Sequence, residues 1–279
     1  MPDPEKMLRL LDKAVATCRK TPGRVGRLVS LANVTDVLIG GDLHGHVDHF
    51  QAIFNKADLA NHPRRHLVLQ EVIHGPFLYD NGGDKSHQLL DLVAATIVQF
   101  PGRVHFLPGN HEFAQRTDRP VARDTGEMNS LFRDGVNTAY GARAEDIYRW
   151  YMSLIDISSL AVHTPNRVFM SHSLPAIGKL WNPAVLTAPV LPAEEYAPGG
   201  SVYHLVWGRD TSVPAATRFL NSVDADLLIT GHLPCPEGFQ VPNDRQIVLD
   251  SQQPPAAYCL FPADRPLTHA ELVACIAII

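Results

Sequence analysis

Five times along this chain a short apolar run stops abruptly at a carboxylate, an amide or an imidazole. Val37-Leu38-Ile39 passes through Gly40-Gly41 into Asp42-Leu43-His44-Gly45, and His66 to Leu69 runs into Gln70-Glu71. Val104 to Leu107 leads into Pro108-Gly109-Asn110-His111-Glu112. Val168 to Met170 leads into Ser171-His172-Ser173, and Leu227 to Ile229 into Thr230-Gly231-His232. Runs this short and aliphatic read as buried strands. Strands that end in polar loops are how rigid scaffolds present chemistry.

Helical periodicity falls between the runs, at Met7 to Arg19, His46 to Ala57, Lys85 to Gln99 and Ala144 to Ile157. Strands alternating with helices predict an α/β layered fold. Val248-Leu249-Asp250 and Ala257 to Phe261 read as a closing hairpin. The chain is expected to form one domain over residues 1–279, with residues 1–33 a helical extension clamped on the core. Residues 175–200, rich in Pro and Gly, are expected to be a surface excursion of that domain.

Composition narrows the class. Hydrophobic residues make up 45% and charged residues 19%, below the ~25% charged of typical soluble domains, which favours a large buried core. A net charge of −5 and the lack of a long basic run leave no footprint for a nucleic-acid backbone. The four cysteines are widely spaced, with no Cys-x-x-Cys pair, which argues for buried thiols over a zinc ribbon or a disulfide framework. Charges interrupt the N-terminal apolar residues, and Leu272 to Ile279 is too short to span a bilayer. A cytoplasmic protein with no membrane partner is the expectation.

Asp42 and His44 lie one residue apart, where both can converge on one metal ion, and the flanking glycines allow a tight turn. Asn110 offers an amide oxygen, with His111 beside it to face a substrate. His172 and His232 each follow an apolar strand directly. Taken singly, each signal has an ordinary explanation: a capping Asp, a capping Asn, a satisfied loop histidine. Four such groups at successive strand ends point together to a metal site.

The order Gly-Asp-x-His-Gly, Gly-Asn-His-Glu, a strand-end His and a late Gly-His resembles the calcineurin-like metallophosphoesterases. Within them it looks closest to the phosphoprotein phosphatase group, which includes Ser/Thr phosphatases and diadenosine tetraphosphatases. The likeness runs from Val34 to Leu260, and includes Leu205-Val206-Trp207-Gly208-Arg209-Asp210 and the strand Ile247 to Ser251. It implies a four-layer fold, a central β-sandwich flanked by helices. It also implies two metal ions, with Asp42 and His44 on the first, Asn110, His172 and His232 on the second, and His111 as general acid. The group has Gly-Asp-x-x-Asp-Arg-Gly after its second strand, and the first Asp bridges both ions. Here Gln70-Glu71-Val72-Ile73-His74-Gly75 stands in that place. Glu71 falls at the bridge, while Asp84, in Gly83-Asp84, is the competing assignment. His74 and Gly75 replace the orienting Asp and the phosphate-binding Arg, and Asp80, Asp84 or Lys85 is left to fill the gap.

The implied chemistry is phosphoester hydrolysis by a metal-bridging hydroxide, since paired cations offset the charge that repels a nucleophile. Mixed N and O ligands suit Mn, Fe, Zn or Co alike. Arg209 is the first choice for clamping phosphoryl oxygens, ahead of Arg116, Arg119 and Lys85. Partners are then phosphorylated substrates: a small molecule, a nucleotide or a phosphoprotein. The alternatives are a non-catalytic metal- or phosphate-binding relative, and a nucleoside polyphosphate hydrolase with Trp181, Tyr196 and Tyr203 lining a base pocket. His46 and His49 read as supporting or surface residues, and His87, His105, His163, His204 and His269 as structural.

Overall fold

The computed structural model describes residues 2–123 and 126–279. Strands β1 (Arg24–Val25), β2 (Leu28–Ser30), β3 (Asp36–Asp42), β4 (Arg65–Gln70) and β5 (Val104–Leu107) open the chain's two main sheets. The five-stranded sheet runs Ile276–Ile278, Ala257–Pro262, β3, β4, β5, and its last three strands are parallel. The seven-stranded sheet runs β1, β2, Ala161–His163, Val168–Ser171, Leu227–Thr230, Gln246–Leu249, Phe239–Gln240.

Side-chain alternation decides what each strand face buries. Val37 and Ile39 of β3, Val68 of β4 and Leu107 of β5 share one core with Val168, Met170, Ile229, Ile247 and Leu249 of the other sheet. Leu38, Leu67, Leu69, Phe169 and Leu228 point the opposite way, into a core made with the helices. The result is the expected sandwich, with helices packed outside it.

Four helices matter for the site. In α1 (Pro4–Arg19), Asp3 caps the first turn and Leu11, Ala14, Val15 and Cys18 are buried. It packs on α3 (His87–Gln99) and on the helix Ala144–Ile157. The remaining two, α2 (Val47–Ala57) and α4 (Asn110–Arg116), start directly after the loops that follow β3 and β5. Among the described residues no helix is long and apolar enough to cross a membrane.

The closing hairpin is not formed. Gln246–Leu249 belongs to the seven-stranded sheet and Ala257–Pro262 to the five-stranded one. The chain crosses from one sheet to the other through Asp250 and Ser251. Two apolar strands joined by a turn look alike in sequence whether they pair edge to edge or face each other across a core. Here the crossing is fixed by a bridge between Asp42 and Asp250 and by the Gly41 amide, which donates to Ser251 Oγ (3.0 Å). The excursion at residues 175–200 is also partly packed, because Val185 and Leu186 are buried, while Ile177, Leu180 and Val190 are exposed.

Candidate metal centre

Parallel strands end on the same rim, so β3, β4 and β5 deliver Asp42, Glu71 and Asn110-His111 side by side. In the facing sheet the parallel strands Val168–Ser171 and Leu227–Thr230 deliver His172 and His232. Four residues there adopt positive φ: His44 (39°), Glu71 (34°), His74 (61°) and His232 (69°). Left-handed backbone at non-glycine residues costs energy and clusters where side chains must be aimed. Close approach needs glycine as well. A Cβ on Gly109 would lie 2.2 Å from Glu71 Oε1, and one on Gly231 would lie 2.1 Å from Asp42 Oδ1.

Asp42, Glu71 and His172 offer ligand atoms within 4.8 Å of one another, and so do His44, Glu71 and His111. Glu71 belongs to both groups. His172 Nε2 meets Asn110 Oδ1 (3.1 Å), and the His172 and His232 ring centroids are 5.1 Å apart. All six residues named from sequence as ligands are thus gathered and buried. Asp84 is not among them. Its carboxylate accepts from the Ser86 amide (2.7 Å), the Ser86 hydroxyl (2.8 Å) and the Gly75 amide (3.2 Å), and so anchors a loop.

The donor set is short of a cation. Asp42 Oδ1, His172 Nδ1 and His232 Nε2 are buried with no hydrogen-bond partner among the described residues. His44 Nδ1 faces the Ile73 carbonyl (2.9 Å), which only accepts, so the proton sits on Nδ1. Its Nε2 lies 3.2 Å from Glu71 Oε2 and bonds to it when His44 is protonated. A metal ion between them would take that proton's place. Burial, then the charges of Glu71 and Asp250, hold the Asp42 carboxyl well above the usual carboxylate range. Burial also opposes ionisation of Glu71, but the imidazoles of His172, His44 and His111 outweigh it and hold that group low. Two close carboxylates resist ionising together unless a cation is bound. Burial, then the neighbouring His172, pushes His232 down to about 3, so its ring is neutral and able to ligate. The residues therefore fit metal ions.

Sequence reasoning gives Glu112 no role, yet it braces the rim. Its Oε1 accepts from the Val72 and Ile73 amides (2.7 and 3.0 Å), and its Oε2 from the Gly109 amide (2.8 Å). It ties the loop after β4 to the start of α4. Burial, then the charge of Glu71, raises its carboxyl to about 7.

His111 lies beside the centre, with its amide donating to Glu71 Oε1 (2.8 Å). Its Nδ1 meets His74 Nδ1 (2.9 Å), and His74 Nε2 meets Gln115 Oε1 (2.8 Å). The Gln115 amide nitrogen donates to the Asn129 carbonyl (3.3 Å) and to Tyr148 Oη (2.8 Å), which turns its oxygen toward His74. His74 is therefore protonated on Nε2, and its Nδ1 accepts from His111. The residue standing in place of an orienting Asp holds the neighbouring histidine all the same.

Arg209 is exposed, makes no ion pair among the described residues, and its charge is felt at His172 and His232. Arg116 is taken up by Asp156 (2.7 Å) and Arg119 lies over Tyr203. The inserted segment is a hairpin. Leu78 bridges Asp84, the Tyr79 amide donates to the Gly83 carbonyl (2.7 Å), and the Lys85 amide to the Phe77 carbonyl (2.9 Å). The three aromatic residues suggested as a base pocket are not gathered into one. Trp181 packs on Phe219, while Tyr196 and Tyr203 line one narrow recess with Phe113 and Trp207 that is too tight for a base.

A family profile described as Calcineurin-like phosphoesterase matches residues 35–236. A "probable serine/threonine-protein phosphatase" of Encephalitozoon cuniculi is 24% identical over 237 residues, which cover 76% of this chain. This chain spans about half the length of that relative, 46%. A protein serine/threonine phosphatase from Saccharomyces cerevisiae, described as similar to human phosphatase PP5, shares the fold. It superposes with a TM-score of 0.69 at 15% identity, over 100% of this chain and 89% of that one. A cold-active protein-tyrosine phosphatase of a psychrophilic Shewanella superposes with a TM-score of 0.54 at 13% identity, over 83% and 76% of the two chains.

Proposed function

The chain belongs to the calcineurin-like phosphoesterase family, and on that premise we propose that it hydrolyses phosphate esters at a two-metal centre. Asp42 and His44 would hold one ion, Asn110, His172 and His232 the other, with Glu71 between them. The observation that carries this reading is the set of buried, partnerless lone pairs on Asp42, His172 and His232 beside the Glu71 carboxylate. Two divalent ions there would neutralise the phosphoryl oxygens and bring a water's pKa near neutrality.

The chain's own groups divide the remaining work. His111, with Nδ1–H committed to His74, carries its exchangeable proton on Nε2 and donates it to the leaving oxygen, a role worth about 10²–10⁴-fold. Arg209, on the facing loop, clamps the non-bridging oxygens. Lys85, which lines the same cavity as Gly45, is the second cation. The pair takes over from the Arg that Gly75 replaces.

The test is hydrolysis of para-nitrophenyl phosphate by manganese-loaded protein. Turnover that disappears in Asp42→Asn and His111→Asn supports the reading. Tight manganese binding without turnover would leave a metal-binding relative that has lost catalysis, the reading favoured by the replacement of the Asp-Arg pair with His74-Gly75.

A further inference from the structure

The hairpin that interrupts the family motif builds something in its place. Phe77 is 48% exposed. Its ring meets that of His46 edge to face, with centroids 4.9 Å apart, and His46 stacks on His49 at 4.7 Å. His49 is held in turn by the Ser251 carbonyl (2.6 Å). Phe77 and Lys85 face each other across the hairpin through the Lys85 amide bond to the Phe77 carbonyl. Together with Gly45, His46, Asp48 and Gln88 they enclose a cavity of ≈ 250 Å³. Gly45, on its wall, directly follows His44, so one side of the cavity adjoins the backbone of that candidate ligand.

We propose that this cavity receives an aromatic ring carried by the leaving group of the substrate. The inference rests on the metal centre being a phosphoester site, and it names the substrate class for that site. Aromatic rings prefer edge-to-face and offset contacts with one another, each worth about 0.5–1.5 kcal/mol beyond the area buried. Phe77 and His46 already form half of such a cluster and leave a ring face exposed. The volume lies just below the ~300–1,000 Å³ of sites for drug-sized ligands, and so suits one ring system rather than a length of peptide. Asp48 on the wall disfavours a leaving group with further negative charge. Lys85 Nζ rests over the Tyr79 ring, 5.1 Å from its centroid. A tyrosyl or other aryl ester and a nucleotide share this chemistry.

Calorimetric titration of the manganese-loaded chain with unreactive phosphonates tests it. Phenylphosphonate represents an aryl ester, the methylene-phosphonate isostere of adenosine 5′-monophosphate a nucleotide, and methylphosphonate the phosphoryl group alone. At least one aromatic ligand is expected to bind fivefold or more tighter than methylphosphonate. That preference should fall below twofold in Phe77→Ala and return in Phe77→Trp, with unchanged melting temperatures showing that the variants fold. A smaller preference in the native chain, one that survives Phe77→Ala, or no binding of any ligand overturns the proposal. Turnover of para-nitrophenyl phosphate without the preference removes the ring site and leaves hydrolysis standing. The preference without turnover does the reverse.

Discussion

His66 and His105 lie side by side near the starts of β4 and β5, their rings stacked at 5.2 Å with Nδ1 of one 2.9 Å from Nε2 of the other. His172 and His232 lie at the opposite ends of the strands, equally buried. Burial depresses the basicity of both pairs, taking His105 and His232 each to about 3 and His66 to about 4. What differs is the accounting of lone pairs. The first two rings partner each other, whereas His172 Nδ1 and His232 Nε2 have no hydrogen-bond partner among the described residues. Desolvation alone does not mark a functional histidine, and neither does a lone nitrogen without such a partner, since His87 Nδ1 and His163 Nε2 have none either. What marks His172 and His232 is that their unpartnered nitrogens gather with Asp42 and Glu71.

The largest effect should come from disturbing the unpartnered group. Asp42→Asn is expected to remove essentially all turnover and to release bound manganese, well beyond the roughly 10–100-fold typical of groups that only support a ligand. His66→Phe combined with His105→Phe should leave turnover at pH 7 within about twofold of the native chain, since those rings reach nothing at the rim. Equal losses in the two variants would break the contrast.

His111→Asn comes next, with kcat on para-nitrophenyl phosphate reduced by about 10²–10⁴-fold and manganese content unchanged. His74→Ala should cost less, about 10–100-fold, because His111 stays in place and only the acceptor for its Nδ1 proton is removed. Its kcat–pH profile should shift, whereas that of a variant with a merely loosened fold would scale without shifting.

The smallest effect concerns stability. His66 and His105 have folded pKa values of about 4 and about 3, below the ordinary 6.5, so the unfolded chain binds more protons between pH 3 and 6.5. Stability therefore rises with pH over that window and is lost as pH falls below 6.5, on the order of 1 kcal/mol per histidine per pH unit. Urea midpoints at pH 7 and pH 5 should differ less in the double Phe variant than in the native chain. An unchanged difference would show that other groups set the acid limit.

The strand ends were legible because an apolar run and the polar residue that stops it are adjacent in sequence. Asp42, His44, Asn110, His172 and His232 all follow that rule, and the structure brings them to one rim. Sequence puts Glu71 ahead of Asp84, because an apolar strand precedes Glu71 and none precedes Asp84, but it does not show what surrounds either carboxylate. Their surroundings separate them: Asp84 is surrounded by the amides and hydroxyl of Gly75 and Ser86, while Glu71 faces His44 and His172. Glu112 escaped notice because its partners, Val72 and Ile73, lie about forty residues earlier in the chain. Its adjacency to Asn110 and His111 was the one signal available. The strands at residues 246–249 and 257–262 read as paired because periodicity reports burial and not which strand lies opposite. The separation of Trp181 from Tyr196 and Tyr203 has the same origin, since composition shows aromatic rings and not the company they keep.

The most direct test counts ions. Purified chain saturated with manganese and freed of excess should retain two equivalents, with one anomalous scattering peak between Asp42, His44 and Glu71 and one between Glu71, Asn110, His172 and His232. An absence of bound manganese, or peaks lying away from these side chains, would contradict a metal centre at this rim.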